Sequence, residues 1–556
     1  MKIWHAFAAA SDLPSYGTSR SKNGAPTLPE PAEPSRSSTT FLLPALVFVA
    51  ACLGLISDSF SVYHFPLDDA WIHQVYARSL AHGDGMAYNP GSQEAGSTSP
   101  LWAFVTAPAH WAGSIPAALV VKAIGVLLAL GFVLAVASTA SRLSGSEKVG
   151  VVAASLTALD PRLAFAALSG MEPVLLVALS GAACHCLVKD RPLRFLLCLG
   201  LMPVTRPEAV LFLPLALPIW WSVVRSAAWP RRVVATLLPV LPGALWVAFC
   251  LAVNGRPLPN TFYLKARPFD LGLSKLAGAA GSLTLGGPLP LWLCLLGLTL
   301  WTGLVLRSGK LGRMVWGLAT AVPVVFLLAV LGSRAMYLGG YYWTRWLDPA
   351  TLLLSAAAAI GLAHGAISVL PTVAGARHRT AVAWLGMALV LGAAFPTWSA
   401  SFEDRRHHLS ADSRVIALLN VRLGVWLAEH TPEDAVVGVN DAGALRYFSN
   451  RHCLDLLGLN AADIAFGRLD TRQAIDRSDW LAIFPSWFER RRLLGHIQDH
   501  FVPRIEARIP MEEFTLFDSP GQTSKVVFER RGDAADIATA PSGPESTFIG
   551  PKSTGN

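Results

Sequence analysis

"FLLPALVFVAACLGLISDSFSVYHFPLDDAWIHQVYARS", residues 41–79, joins an apolar run to a polar loop that opens on two adjacent aspartates. Residues 41–57 carry no charge, and a run of roughly 17–25 such residues can cross a hydrocarbon core of about 30 Å. Carboxylates beside lipid are costly. Asp68 and Asp69 are therefore either solvated caps on the helix that follows or the working end of a site.

Similar apolar runs recur along the chain, near 115–140, 149–163, 172–188, 195–204, 207–224, 232–253, 289–306, 314–332, 350–370 and 380–398. Of 556 residues 53% are hydrophobic and 15% charged, with a mean hydropathy of +0.45. A soluble chain would carry nearer a quarter charged residues. The expectation is a polytopic α-helical membrane protein of about eleven spans at 41–398. A soluble α/β domain would follow at 399–530, with disordered tails at 1–40 and 531–556. The N-terminal 40 residues lack the apolar core of a signal peptide. The net charge of +8 is scattered in short loops, so nucleic acid is not expected as a partner.

Alternate connections are short and basic: Arg142 with Lys148, Lys189 with Arg191 and Arg194, Arg225 with Arg231, Arg307 with Lys310, and Arg377 with Arg379. Basic loops face the cytoplasm, which puts the N-terminus inside and the other loops on the exoplasmic face of an inner membrane. Those other loops hold the Asp68–Asp69 segment, "SGMEP" (169–173), "TRPEA" (205–209), "LPNTFYLKAR" (258–267) and "GGYYWTRWLDP" (339–349). Such sorting predicts one site at that face.

Within it, a carboxylate pair can supply a general base or hold a divalent cation. For one aspartate alone, helix capping explains the residue equally well. Arg206, Lys265 and Arg345 suit a phosphate group, although single cations at helix ends more often touch lipid. Glu172, Glu208, Asn260, Tyr263, Tyr341 and Tyr342 are candidates for contacts to a substrate. His64, His73, His82 and His110 lack a compact metal-ligand spacing and read as surface or interfacial residues. Six of seven cysteines lie in apolar runs and Cys453 stands alone, so no disulfide framework is expected.

The stretch "DDAWIHQVYARSLAHGDGMAYNPGSQEAGSTSPLW" (68–102) resembles the first exoplasmic loop of GT-C glycosyltransferases of the arabinofuranosyltransferase-like group. "GMEP", "TRPEA", "PNTFYLKA" and "VNDAGALRYFSNRHCLDLLGLN" (439–460) follow in the same order. The resemblance implies an inverting enzyme that takes a sugar from a polyprenyl-phosphate carrier and passes it to an envelope glycan or lipid. It places the base at Asp68 or Asp69, with Asp68 the first choice, and the lipid phosphate on Lys265 and Arg206. Trp71 and Pro173 stand where that group often has tyrosine and threonine, so the sugar does not follow from the resemblance. A transporter or flippase of an envelope precursor and a non-catalytic assembly scaffold are the alternatives. Asp160, Glu172 and Glu208 lie near span ends rather than at mid-membrane, which disfavours transport.

Overall fold

A computed structural model describes residues 41–265, 287–333, 345–375, 378–510 and 523–532, and these belong to one compact unit. Tyr341 and Tyr342 lie outside the described residues, as do the tail at 1–40 and the last residues from 533.

Each apolar run folds as helix. Among the described residues, five helices are long and apolar enough to cross a membrane: Ala117–Ser144, Pro207–Ser226, Gly309–Gly332, Asp348–Val373 and Arg379–His430. Two bent pairs raise the number to seven, and Leu42–Leu55, Pro173–Val188, Pro192–Leu201 and Leu291–Arg307 are shorter apolar helices of 10–17 residues. An upright crossing takes about 20 residues, so length separates these helices from full spans. Prolines open many of the helices, at Pro161, Pro173, Pro192 and Pro207, where the missing N–H costs nothing.

The run at 149–163 is not continuous. Helices Glu147–Ala158 and Pro161–Leu168 meet at 61°, with Asp160 at the break. A buried charge at a broken helix is a transporter-like feature. Here, however, both carboxylate oxygens of Asp160 go to Arg162, at 3.1 and 2.7 Å, and one also accepts the Arg162 backbone N–H. Each is the other's hydrogen-bond partner, with the buried Asp348 near by.

The 38-residue helix Arg379–Ile416 passes straight through the expected boundary at 398/399. It leads to a five-stranded sheet of order β4-β3-β5-β7-β6, with β3 Val436–Val439, β4 His452–Asp455, β5 Trp480–Ile483, β6 Phe501–Arg508 and β7 Ser524–Arg530. β3 runs parallel to β4 and β5, while β7 is antiparallel to both β5 and β6. β3, β5 and β7 lie on the apolar runs "DAVVGV", "WLAIF" and "KVVFER". β6 is half exposed and interrupted by Pro503 and charged residues, which hides its period in sequence.

The loop between the first two apolar helices ties these parts together. Its helix, Asp68–His82, ends at Gly83 in the left-handed conformation (φ 90°), where glycine has no Cβ penalty. A small hairpin follows, β1 Ala87–Asn89 with β2 Ser92–Gln93. Ala70, Trp71, His73, Gln74, Val75, Tyr76 and Ala77 of this helix are all buried, because it is covered by residues 100–111, by β1 and by the helix Ala444–Ser449 between β3 and β4. Trp71 packs against Phe65, Tyr447 and Phe448 with ring centroids 4.8–4.9 Å apart.

Candidate active site

The loop at 64–102 hydrogen-bonds to, or directly beside, most of the motifs singled out in the sequence. Trp102 Nε1 donates to Gly170 O at 2.9 Å, and Leu101 N donates to Val204 O at 3.1 Å. Asn260 N donates to Ala95 O at 2.9 Å. Tyr76 Oη donates to Asn460 Oδ1 at 2.9 Å, Tyr88 Oη to Ala442 O at 2.7 Å and Asn89 Nδ2 to Cys453 O at 2.8 Å. Segments separated by hundreds of residues therefore converge on one cavity. Its wall includes Asp69, His73, Thr98, Glu172, Arg206, Glu208, Thr261, Lys265, Arg345, Trp346 and Asn460.

The two aspartates part company here. Successive residues of a helix point about 100° apart, and different partners lie in the two directions. The Asp68 carboxylate accepts from the backbone N–H groups of Gly443 (2.7 Å) and Ala444 (2.9 Å) and from Asn420 Nδ2 (2.9 Å). Asp441 approaches the same Asn420, and the buried Lys525 Nζ binds Asn420 Oδ1 at 2.6 Å and Asp441 Oδ2 at 2.5 Å. Burial, then the Asp441 carboxylate, push the Asp68 carboxyl up to about 6 in spite of Lys525. Asp68 does not line the cavity.

Asp69 does. Arg345 Nη2 donates to its Oδ2 at 2.5 Å, and Lys265 Nζ stands 3.8 Å from Oδ1. Burial acts to raise this carboxyl, but Lys265, then Arg345 and His73, overcome it and hold the group well below the usual carboxylate range. Asp69 is thus an ionised carboxylate facing open space, 19% exposed.

A second set of charges lines the same cavity. Arg206 Nη1 donates to Glu172 Oε1 at 2.8 Å, and its Nε lies 3.7 Å from Glu208 Oε2. His73 Nε2 lies 3.3 Å from Glu172 Oε2. The surface reading of His73 is corrected: it is 6% exposed, because it sits one turn beyond Asp69 on the same helix face. That i, i+4 spacing was the available signal, and a search for metal-ligand spacing passed over it. Thr98 and Thr261 were also missed, since a threonine in a loop carries no distinctive pattern.

Gly96 completes the wall. A Cβ there would lie 2.5 Å from Tyr76 Oη and 2.6 Å from both Asn460 Oδ1 and Leu459 O, so only glycine allows this close approach.

Two other candidates are placed away from the cavity. Asn260 is buried among Asn254 and Glu94, accepting from the first at 2.8 Å and donating to the second at 2.6 Å. Tyr263 packs edge-on against Phe466 at 5.7 Å, with Arg256 over its ring. Both brace the segment that carries Thr261 and Lys265.

A divalent cation at Asp68 and Asp69 would need both carboxylates together. One is turned to backbone amides and the other to cations, and among the described residues no group of three or more His, Cys, Asp or Glu has metal-binding geometry.

A comparison with curated protein sequences finds no match. Residues 409–527 match a domain of unknown function (DUF8728). Among solved structures, ArnT from Cupriavidus metallidurans bound to undecaprenyl phosphate is similar over 89% of this chain and 98% of its own. The TM-score is 0.55 and the identity 13%. The archaeal oligosaccharyltransferase AglB from Archaeoglobus fulgidus, in complex with an inhibitory peptide and a dolichol-phosphate, is similar over 90% of this chain and 74% of its own. There the TM-score is 0.53 and the identity 11%. The likeness establishes that this chain shares the fold of these two proteins.

Proposed function

We propose that the chain is a GT-C glycosyltransferase that moves a sugar from a polyprenyl-phosphate donor to a hydroxyl of an envelope glycan or lipid, with inversion. The observation that carries this reading is one ionised carboxylate, Asp69, flanked by Lys265 and Arg345 on a cavity wall. ArnT and AglB, of the same fold, were each solved with a polyprenyl-type phosphate bound. The order of motifs along the chain favours the arabinofuranosyltransferase-like branch, and a pentose is one donor sugar to test. The basic loops favour the cytoplasmic membrane, with the cavity exoplasmic.

In this mechanism Lys265 and Arg345 hold the donor phosphate. The acceptor oxygen attacks the anomeric carbon from the face opposite the phosphate. The bond from that carbon to the phosphate oxygen breaks, and polyprenyl phosphate leaves with the electron pair. Cations aimed at the leaving oxygens stabilise the charge as it develops. The acceptor's proton passes to Asp69.

An aspartate held this acidic is a weak base while both cations serve it. A phosphate that draws Arg345 and Lys265 toward itself removes most of that support and leaves burial opposed by His73. Burial raises the proton affinity of a carboxylate. Donor binding therefore readies the base, and the site is reactive only when loaded. Arg206, already committed to Glu172 and Glu208, lines the same cavity.

The test is transfer by purified protein from a panel of polyprenyl-phosphate sugars to envelope acceptors, with Asp69→Asn beside the wild type. Turnover lost in a folded variant supports the reading. Unchanged turnover in Asp69→Asn removes Asp69 as the base.

A further inference from the structure

The cluster of Glu172, Arg206 and Glu208 takes no proton or phosphate in the chemistry just described, yet it puts three charged groups on the cavity wall. Glu172 and Arg206 are 5% and 4% exposed, and Glu208 is only slightly more open. On this wall His73 Nδ1 lacks a hydrogen-bond partner, while Glu172 Oε2 and Arg206 Nε have only the longer ion-pair contacts to His73 (3.3 Å) and Glu208 (3.7 Å). Buried polar atoms of this kind are normally paired by the protein, by water or by a ligand. A ring of hydroxyls, each both donor and acceptor, satisfies such a mixture of carboxylate oxygens and N–H groups.

Charge narrows the ligand further. Asp69, Glu172 and Glu208 face Arg206, Lys265 and Arg345, so the formal charges of these side chains balance. The donor phosphate brings one negative charge to the Lys265–Arg345 side. A second anionic group, on the sugar itself, would meet Glu172 and Glu208 with Arg206 already engaged by both.

Size narrows it again. The cavity, which takes in the Lys265–Arg345 side as well, has a volume of about 60 Å³; on the measure by which one water needs about 10–15 Å³, this is the room of about four to six waters. That leaves space for one sugar ring at most.

We infer that the wall of Glu172, Glu208, Arg206 and His73 is a sugar-reading subsite that accepts one uncharged monosaccharide and rejects a sugar bearing a carboxylate. This rests on the transferase reading and specifies its donor.

The experiment compares three donors on the full-length protein in detergent: a polyprenyl-phosphate neutral monosaccharide, the matching hexuronate and a neutral disaccharide. Initial rates and donor affinity by intrinsic tryptophan fluorescence are both read. The neutral monosaccharide is expected to exceed the hexuronate in kcat/KM by at least about tenfold, as a like charge in a half-buried site predicts. Glu208→Gln, which leaves the Glu172–Arg206 pair intact, should narrow that ratio, and Glu172→Gln should narrow it further if it folds. Equal rates for hexuronate or disaccharide, with Asp69→Asn still inactive, overturn the subsite and leave the transferase reading standing. Neither binding nor turnover of any donor overturns both.

Discussion

Asp68 accepts the backbone N–H of Gly443 at 2.7 Å across 375 positions of sequence. Its neighbour Asp69 instead turns to Arg345 and the cavity. Two identical, adjacent side chains thus do unlike work, one fastening the loop helix to the segment before β4, the other facing the cavity.

Substituting them separately should show this division. Asp69→Asn is expected to lower kcat by 10²-fold or more, the usual scale of general-base catalysis, with little change in Tm. Asp68→Ala strands two backbone N–H groups and Asn420, a loss of about 1–3 kcal/mol per buried group. It should lower Tm markedly and activity only through instability. Parallel turnover and melting measurements decide it, and the reverse pattern would exchange the two assignments.

Removing Arg345 should alter both binding and pH response. Asp69 acts as base only when ionised, so activity is present above its carboxyl pKa and is lost as pH falls through it. Lys265, Arg345 and His73 hold that value low in the free protein. Arg345→Met is therefore expected to move the acid limb of the kcat/KM profile to higher pH and to weaken donor binding. A limb that does not move would show that another group governs it.

The Arg206 wall is predicted to be a matter of stability as well as recognition. Arg206→Met leaves Glu172 and Glu208 without their cation in a buried place, and breaking a buried pair typically costs about 3–5 kcal/mol. Adding Glu172→Gln should recover part of that loss. Denaturation of the single and double variants measures it, and strictly additive effects would mean the pair is not coupled.

Asp68 also predicts a pH-dependent contribution to stability. Its carboxyl stands near 6 in the fold and at about 3.9 when unfolded, so between those values the native state binds the extra proton. The contribution is fully present below the unfolded value and is lost as pH rises through 6, after which it is constant. The Tm difference between wild type and Asp68→Asn should change over that window and flatten above it. A difference independent of pH from 4 to 7 would contradict the shift.

The helices and the converging loops are legible in the amino-acid order because their signals are local. An uncharged run of membrane length, a proline at a helix start and a basic turn each depend only on near neighbours. The motifs at 68–102, 169–173, 205–209 and 258–267 could likewise be picked out one by one. The bend at Asp160 was not visible, since hydropathy averages across a break that Pro161 and one aspartate create. β6 was hidden because its exposed face carries charges.

What the sequence by itself determined is the set of helices and the pool of residues from which a site could be drawn. What only the tertiary structure decided is which of them meet. Asp69 rather than Asp68 faces the cavity, His73 is buried beside Glu172, and Asn260 and Tyr263 brace the wall without reaching it. The physical reason is rotation: one residue along a helix turns a side chain by about 100°. What waits in each direction, Arg345 on one side and Gly443 on the other, is supplied by chain hundreds of residues away.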